Sequence, residues 1–177
     1  IDESGTYTYV SPQAEDLIGY AAAEILGKTP FDFMSPSEAE RVAPAFFEAL
    51  ENRDTILEWE DTLLTKDGSE RIFETNATPR YDSQGFFIGY MGTCRDITKR
   101  KLAEEQLRKS EERFQNLYED APVGYFEYDL QGNISRVNHT ELKMLGYTAE
   151  EMIGQPCWSY IVEEAAREQI LAKLSGV

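Results

Sequence analysis

Few residues in this chain have chemistry to offer: one imidazole, His139, two thiols, Cys94 and Cys157, and a carboxylate, Asp61, in step with apolar neighbours. Leu57, Trp59, Asp61 and Leu63 alternate with the period of a β-strand, which puts the acid on an otherwise apolar face. Burying a lone carboxylate there costs several kcal/mol. Asp61 therefore needs water, a polar neighbour or a ligand, and is expected on the wall or mouth of a pocket, fixing the polar end of a small molecule. By the same alternation Phe73, Thr75 and Ala77 share one face, and Tyr90, Gly92 and Cys94 another. The converging faces define the candidate site: Trp59, Asp61, Leu63, Phe73, Thr75, Ala77, Tyr90, Gly92 and Cys94. Small Thr75, Ala77 and Gly92 beside large Trp59, Phe73 and Tyr90 either interdigitate into a filled core or leave a cavity.

No catalytic constellation accompanies that face. Cys94 and Cys157 lie far apart, without metal-ligand spacing or a nearby His, so both read as buried free thiols in a reducing compartment. His139 is expected to face solvent or cap backbone. Nucleophile elbows, glycine-rich phosphate cradles and zinc spacings are missing, and the chain reads as non-catalytic with no metal site. A formal charge of −16 repels phosphate backbones and anionic lipid surfaces, which argues against a nucleic-acid partner or membrane contact. With no apolar run long enough to cross a bilayer, a soluble, cytoplasmic location is expected. Asn76, Asn133 and Asn138 open Asn-x-Ser/Thr triplets, read as chance matches.

The elements that must hold the face emerge from an internal repeat. Asp2, Gly5 and Val10 align without gaps on Asp129, Gly132 and Val137. In the same register Gly19 and Tyr20 fall on Gly146 and Tyr147, Glu24 and Gly27 on Glu151 and Gly154, and Phe31 on Trp158. Each copy reads as a turn, a β-rich stretch, a helix stopped at Gly19 or Gly146, and a short helix stopped at Gly27 or Gly154. Thr148 and Glu151 form a capping box for the second short helix, where the first copy has Ala21. Ser35 with Glu38, and Pro36 at the first helical position, start a longer helix. Only the first copy continues into three strands, with turns at Asp67 and Gly68 and at Asp82 to Gly85. This order predicts an α+β domain with helices on one face of an antiparallel sheet.

The glycine and tyrosine stretches at 19–27 and 146–154, Lys66-Asp67-Gly68, Tyr81 and Asp82 with Gly85, and Gly92 with Arg95-Asp96-Ile97-Thr98 together resemble the PAS family with its C-terminal PAC half. The resemblance covers essentially the whole chain. It implies a five-stranded antiparallel sheet with helices on one face, curled around a small pocket and serving as a sensor or dimerisation module. It divides the chain into a first module at 1–95 lacking most of its first strand, a linker helix at 96–120, and the N-terminal half of a second module at 121–177. The chain opens at Ile1 and both ends cut through structure, so it reads as a piece of a longer protein that carries any membrane anchor or output domain.

Family resemblance further pairs Glu24 with Lys66 on the surface, bridging helical and sheet halves. Haem is not expected, because the long-helix stretches at 38–51 and 163–173 lack the axial histidine of haem-binding relatives. Flavin photochemistry is not expected either, since Lys28-Thr29-Pro30 and Gln155-Pro156-Cys157 replace the Asn-Cys-Arg motif; the cofactor is left unknown. Two functions remain: a sensory and relay module of a larger signalling protein, a sensor histidine kinase or a cyclic-dinucleotide enzyme, or a ligand-free dimerisation module.

The segment from Asp96 to Ala121 is charge-rich and lacks Gly and Pro. Arg100 with Glu104, Lys101 with Glu105, Glu104 with Arg108 and Glu105 with Lys109 support a helix at i,i+4 spacing. Leu107, Ser110, Phe114, Leu117 and Ala121 form a narrow seam suited to a homodimer partner or to the second module. Asp96 and Thr98 are expected to bond the first free amides of this helix and couple it to the sheet. A downstream signalling domain of the same chain is the expected receiver.

Overall fold

The computed structural model describes residues 1–161 together with 163, 164, 168, 169 and 172. The chain forms two compact units, Ile1–Glu105 and Gln106–Val177. The first carries α1 (Gln13–Ile18), α2 (Ala22–Ile25), a 3₁₀ turn (Pro30–Phe33), α3 (Pro36–Asn52), β1 (Ile56–Leu64), β2 (Glu70–Tyr81) and β3 (Phe87–Asp96). The boundary between the units falls inside α4 (Thr98–Glu119). In the second unit follow β4 (Phe126–Tyr128), β5 (Ile134–Val137), α5 (His139–Leu145), α6 (Ala149–Met152) and a 3₁₀ turn (Cys157–Tyr160).

The first unit holds a three-stranded antiparallel sheet in the order β1-β2-β3, and the second a β4-β5 pair. Neither unit reaches the five strands that the resemblance implies among the described residues. Residues 6–10 form no strand: Tyr7 exchanges backbone hydrogen bonds with Lys28 and Gly27, and Ile1 exchanges them with Tyr90 of β3. Gly89 admits that approach, since a Cβ there would lie 2.6 Å from Asp2 Cα.

The repeat is visible bond by bond. Asp2 Oδ1 accepts from the amides of Ser4 and Thr6, and Asp129 Oδ1 from those of Gln131 and Asn133. Tyr7 meets Lys28 and Gly27 as Ile134 meets Gln155 and Gly154. Glu24 bonds back to the Ala21 amide at 3.0 Å, as Glu151 does to Thr148 at 2.8 Å. Ala21 has no side-chain acceptor, so the first copy keeps only half of the box.

Ile18, Ile25, Phe33, Met34 and Val42 from the helical layer pack on Leu63 and Phe73 of the sheet. On the outer face Glu60 and Glu74 stand opposite each other across β1 and β2, a like-charge pair that is unfavourable unless countered. Lys101 meets Glu60 at 2.7 Å and Arg100 meets Glu74 at 2.8 Å, so the first turn of α4 lies on this face. These contacts draw Arg100 and Lys101 to strand carboxylates, a use the i,i+4 spacing does not predict. The helix ends at Glu119, leaving Ala121 of the expected seam outside it.

Strand parity fails at one point. Ile56, not Leu57, is buried, and Leu57 is exposed. A bulge between Ile56 and Trp59 inserts Glu58 at φ 50°, its amide donating to Asn76 Oδ1 at 2.9 Å. An extra residue shifts every side chain before it to the other face.

Candidate functional site

The first unit encloses a cavity of about 240 Å³ between α3, the 3₁₀ turn and the concave sheet face. Strand register builds its wall in rows: Trp59 opposite Thr75 opposite Cys94, and Ile56 opposite Ala77 opposite Gly92. Trp59, Asp61, Leu63, Thr75, Ala77, Tyr90, Gly92 and Cys94 all line it. Phe73 does not. It is 2% exposed and lies in the core among the helices, where Ile18, Ile25 and Phe33 cover it. Sequence parity missed Ile56, Tyr7, Met34, Val42 and Phe46, which also line the cavity; for the last two the signal was the apolar face of α3.

The small residues are small for a reason. A Cβ on Gly92 would meet both the Ala77 Cβ and the Asn76 carbonyl at 2.7 Å, so β2 and β3 approach closely only without it. Tyr90, itself buried, anchors the opposite end through a hydroxyl 2.7 Å from the Ala49 carbonyl and 2.8 Å from that of Asp54. Thr75 donates to Cys94 Sγ at 3.3 Å. Cys94, on the cavity wall, is exposed, contrary to expectation; Cys157 is buried. Protein crowding around the Cys94 sulfur still pushes its thiol pKa up, which keeps the protonated, poorly nucleophilic form.

Asp61 is the polar feature of this wall. Its Oδ1 is buried and has no hydrogen-bond partner among the described residues. Burial, with repulsion from Glu38, raises its pKa to about 6 against the pull of Arg41. Arg41 is committed elsewhere, donating to both Glu38 carboxylate oxygens at 2.7 and 2.6 Å and to the Glu60 carbonyl at 3.0 Å. Burial also raises the Tyr7 phenol, with Cys94 and Asp61 adding to the effect.

The exit from the sheet is built on Asp96 and Thr98. Asp96 Oδ1 accepts from the Thr98 amide at 2.8 Å, and its Oδ2 lies 3.3 Å from Arg71. Burial alone would raise the Asp96 carboxyl, but its bonds from Thr98 and the Arg71 charge hold it below the ordinary range. The Thr98 hydroxyl serves no helix amide. It accepts from the Ile72 amide at 2.9 Å, because β3 leaves the sheet at Asp96 and Ile72 of β2 has no strand partner there.

Glu24 and Lys66 meet at 2.8 Å, and the Lys66 amide donates to the Ile18 carbonyl, so the β1-β2 turn is pinned to the helical layer. The hydrogen bond lowers the Glu24 pKa and raises that of Lys66. His139 opens α5 with its side chain exposed, its Nδ1 3.5 Å from Glu119. No group of acids, thiols or imidazoles suited to a metal forms among the described residues. No described helix is long and apolar enough to cross a membrane.

A curled antiparallel sheet closed by short helices over a small cavity, with a long helix leaving its last strand, is the architecture of a PAS domain. A family model described as the PAS fold matches residues 1–102, and a second PAS-fold model matches 112–175. The chain belongs to the PAS family of sensor domains. It is 28% identical over 144 residues, 78% of its length, to the two-component sensor PprA of Pseudomonas aeruginosa. It is 28% identical over 119 residues, 67% of its length, to sporulation kinase E of Bacillus subtilis. The chain spans 16% of each of these relatives. The solved structure of an RNA-binding light-oxygen-voltage receptor matches with a TM-score of 0.54 at 27% identity, covering 60% of this chain and 30% of that one.

Proposed function

We propose that this chain is a non-catalytic sensory and relay segment of a larger signalling protein, a sensor histidine kinase, in which a small molecule in the first unit's cavity biases α4. One row of residues carries the reading. Asp61 on the cavity wall stands opposite Phe73 in β2, and Phe73 stands opposite Asp96 in β3, which bonds the first amide of α4. A ligand that moves Asp61 therefore has a packed cross-strand path to the start of the helix. The named relatives, a two-component sensor and a kinase, supply the output class. Leu107, Phe114 and Leu117 of α4 are exposed at spacings of seven and three, a seam for a second copy of the helix.

The test is mass spectrometry of the gently denatured chain purified from its native host. A stoichiometric small molecule, lost on filling the cavity with Ala77→Trp, supports sensing. A chain that dimerises through α4 and repeatedly carries nothing supports the competing reading, a ligand-free dimerisation module.

A further inference from the structure

Resting on the sensor reading, we propose that the first unit's cavity takes a small monocationic amine with an apolar body of about ten non-hydrogen atoms, its ammonium seated on Asp61. The size follows from volume, since a cavity of about 150 Å³ holds benzene and this one is about 240 Å³. The charge follows from the wall. Asp61 Oδ1 is buried and unpartnered among the described residues, a state that costs free energy until a donor arrives.

The described residues supply no such donor in hydrogen-bonding position. Arg41, the cation acting on Asp61 from α3, is held by Glu38 and the Glu60 carbonyl. The Thr75 hydroxyl gives its proton to Cys94. The other titratable neighbours are Glu38 of α3, Tyr7 of the N-terminal segment and Cys94 of β3, and the one of these that is charged at neutral pH, Glu38, is negative. Arg80 and Ile1 also line the cavity; the Ile1 amino group donates to the Tyr90 carbonyl, and the Arg80 charge acts on that amine. Trp59 and Tyr7 present aromatic surface on the same lining, which favours a cation over an anion. The net charge of −16 concentrates cations near the protein and repels anions.

The test is calorimetric titration of the full chain at about pH 7.5 with benzene, phenylethanol, phenethylamine and phenylacetate. Benzene and phenylethanol should bind, phenethylamine about tenfold tighter than phenylethanol because both partners of its hydrogen bond carry charge, and phenylacetate not measurably. Asp61→Asn should remove the amine's advantage over the alcohol while leaving benzene binding unchanged. In the unaltered protein the amine's advantage should shrink as pH falls through about 6, where Asp61 protonates. An amine no tighter than the alcohol, or an advantage that survives both Asp61→Asn and acid, overturns the assigned ligand class. Benzene binding in that event leaves the cavity reading standing, whereas failure of all four probes overturns both.

Discussion

Asn138 Nδ2 donates to the Tyr118 carbonyl at 2.8 Å, tying the last turn of α4 to the residue that caps α5. The same amide group donates to the Val123 carbonyl, and its Oδ1 accepts from the amides of Tyr125 and Glu141. Asn138 is fully buried with every hydrogen-bonding position used. Replacing it by Ala leaves these backbone groups unmatched and should destabilise the second unit by about 2–4 kcal/mol. Asn138→Asp should cost as much, because a carboxylate cannot donate to two carbonyls. Urea unfolding followed by Tyr125 and Tyr118 signals checks this; an Asp variant as stable as the parent would show that the donors are dispensable.

Asp61 makes stability depend on pH in a defined direction. Its folded pKa, about 6, lies above the unfolded 3.8, so the fold favours the protonated acid. The contribution is fully present below the unfolded value and is lost as pH rises through the folded one, an effect on the order of 2–3 kcal/mol. Asp61→Asn should therefore gain stability over the parent above about pH 6 and none in acid. Equal stability differences at both ends of that range would mean that Asp61 is not desolvated.

Glu58 holds φ at 50°, a left-handed conformation that a side chain disfavours. Glu58→Gly keeps the bulge and the amide bond to Asn76, and should raise stability by up to about 1 kcal/mol. Asn76→Ala should lower it, since the bulge amide then loses its acceptor. Thermal melts of the two variants moving in the same direction would refute this account of the bulge.

Asp96 and Thr98 join the sheet to α4 through different bonds, and removing both in the full-length protein should uncouple stimulus from output. Thr98→Ala also strips the Ile72 amide of its acceptor, so a stability loss of about 1–2 kcal/mol belongs to the same variant. Thr98→Ser keeps that acceptor and serves as the control for folding. The signalling output of the full-length protein should fall in Asp96→Ala with Thr98→Ala and persist in Thr98→Ser; unaltered signalling in the double variant would refute the relay.

Much of the fold was legible because the signals are local. Glycines at 19, 27, 146 and 154 all adopt positive φ, and the Asp turns at 2 and 129 bond within a few residues of themselves, so a single register exposed both copies. Alternation placed Trp59, Asp61 and Leu63 on one wall because nothing interrupts β1 after the bulge. It failed at Leu57 because the bulge depends on Asn76, far along the chain on another strand.

From order and spacing alone came the repeat, the α+β class, the PAS resemblance and the acid on an apolar face, since turns, caps and strand parity are set within a few bonds. Whether that face encloses space was beyond them. The gap exists because Gly92 lets β3 close on Ala77 while Phe73 retreats into the helical core, and both facts depend on packing across strands. Asp61 is orphaned by a competing ion pair. Its natural cation, Arg41, sits one helical turn from Glu38 and closes on that carboxylate, leaving the buried Oδ1 of Asp61 without a partner among the described residues.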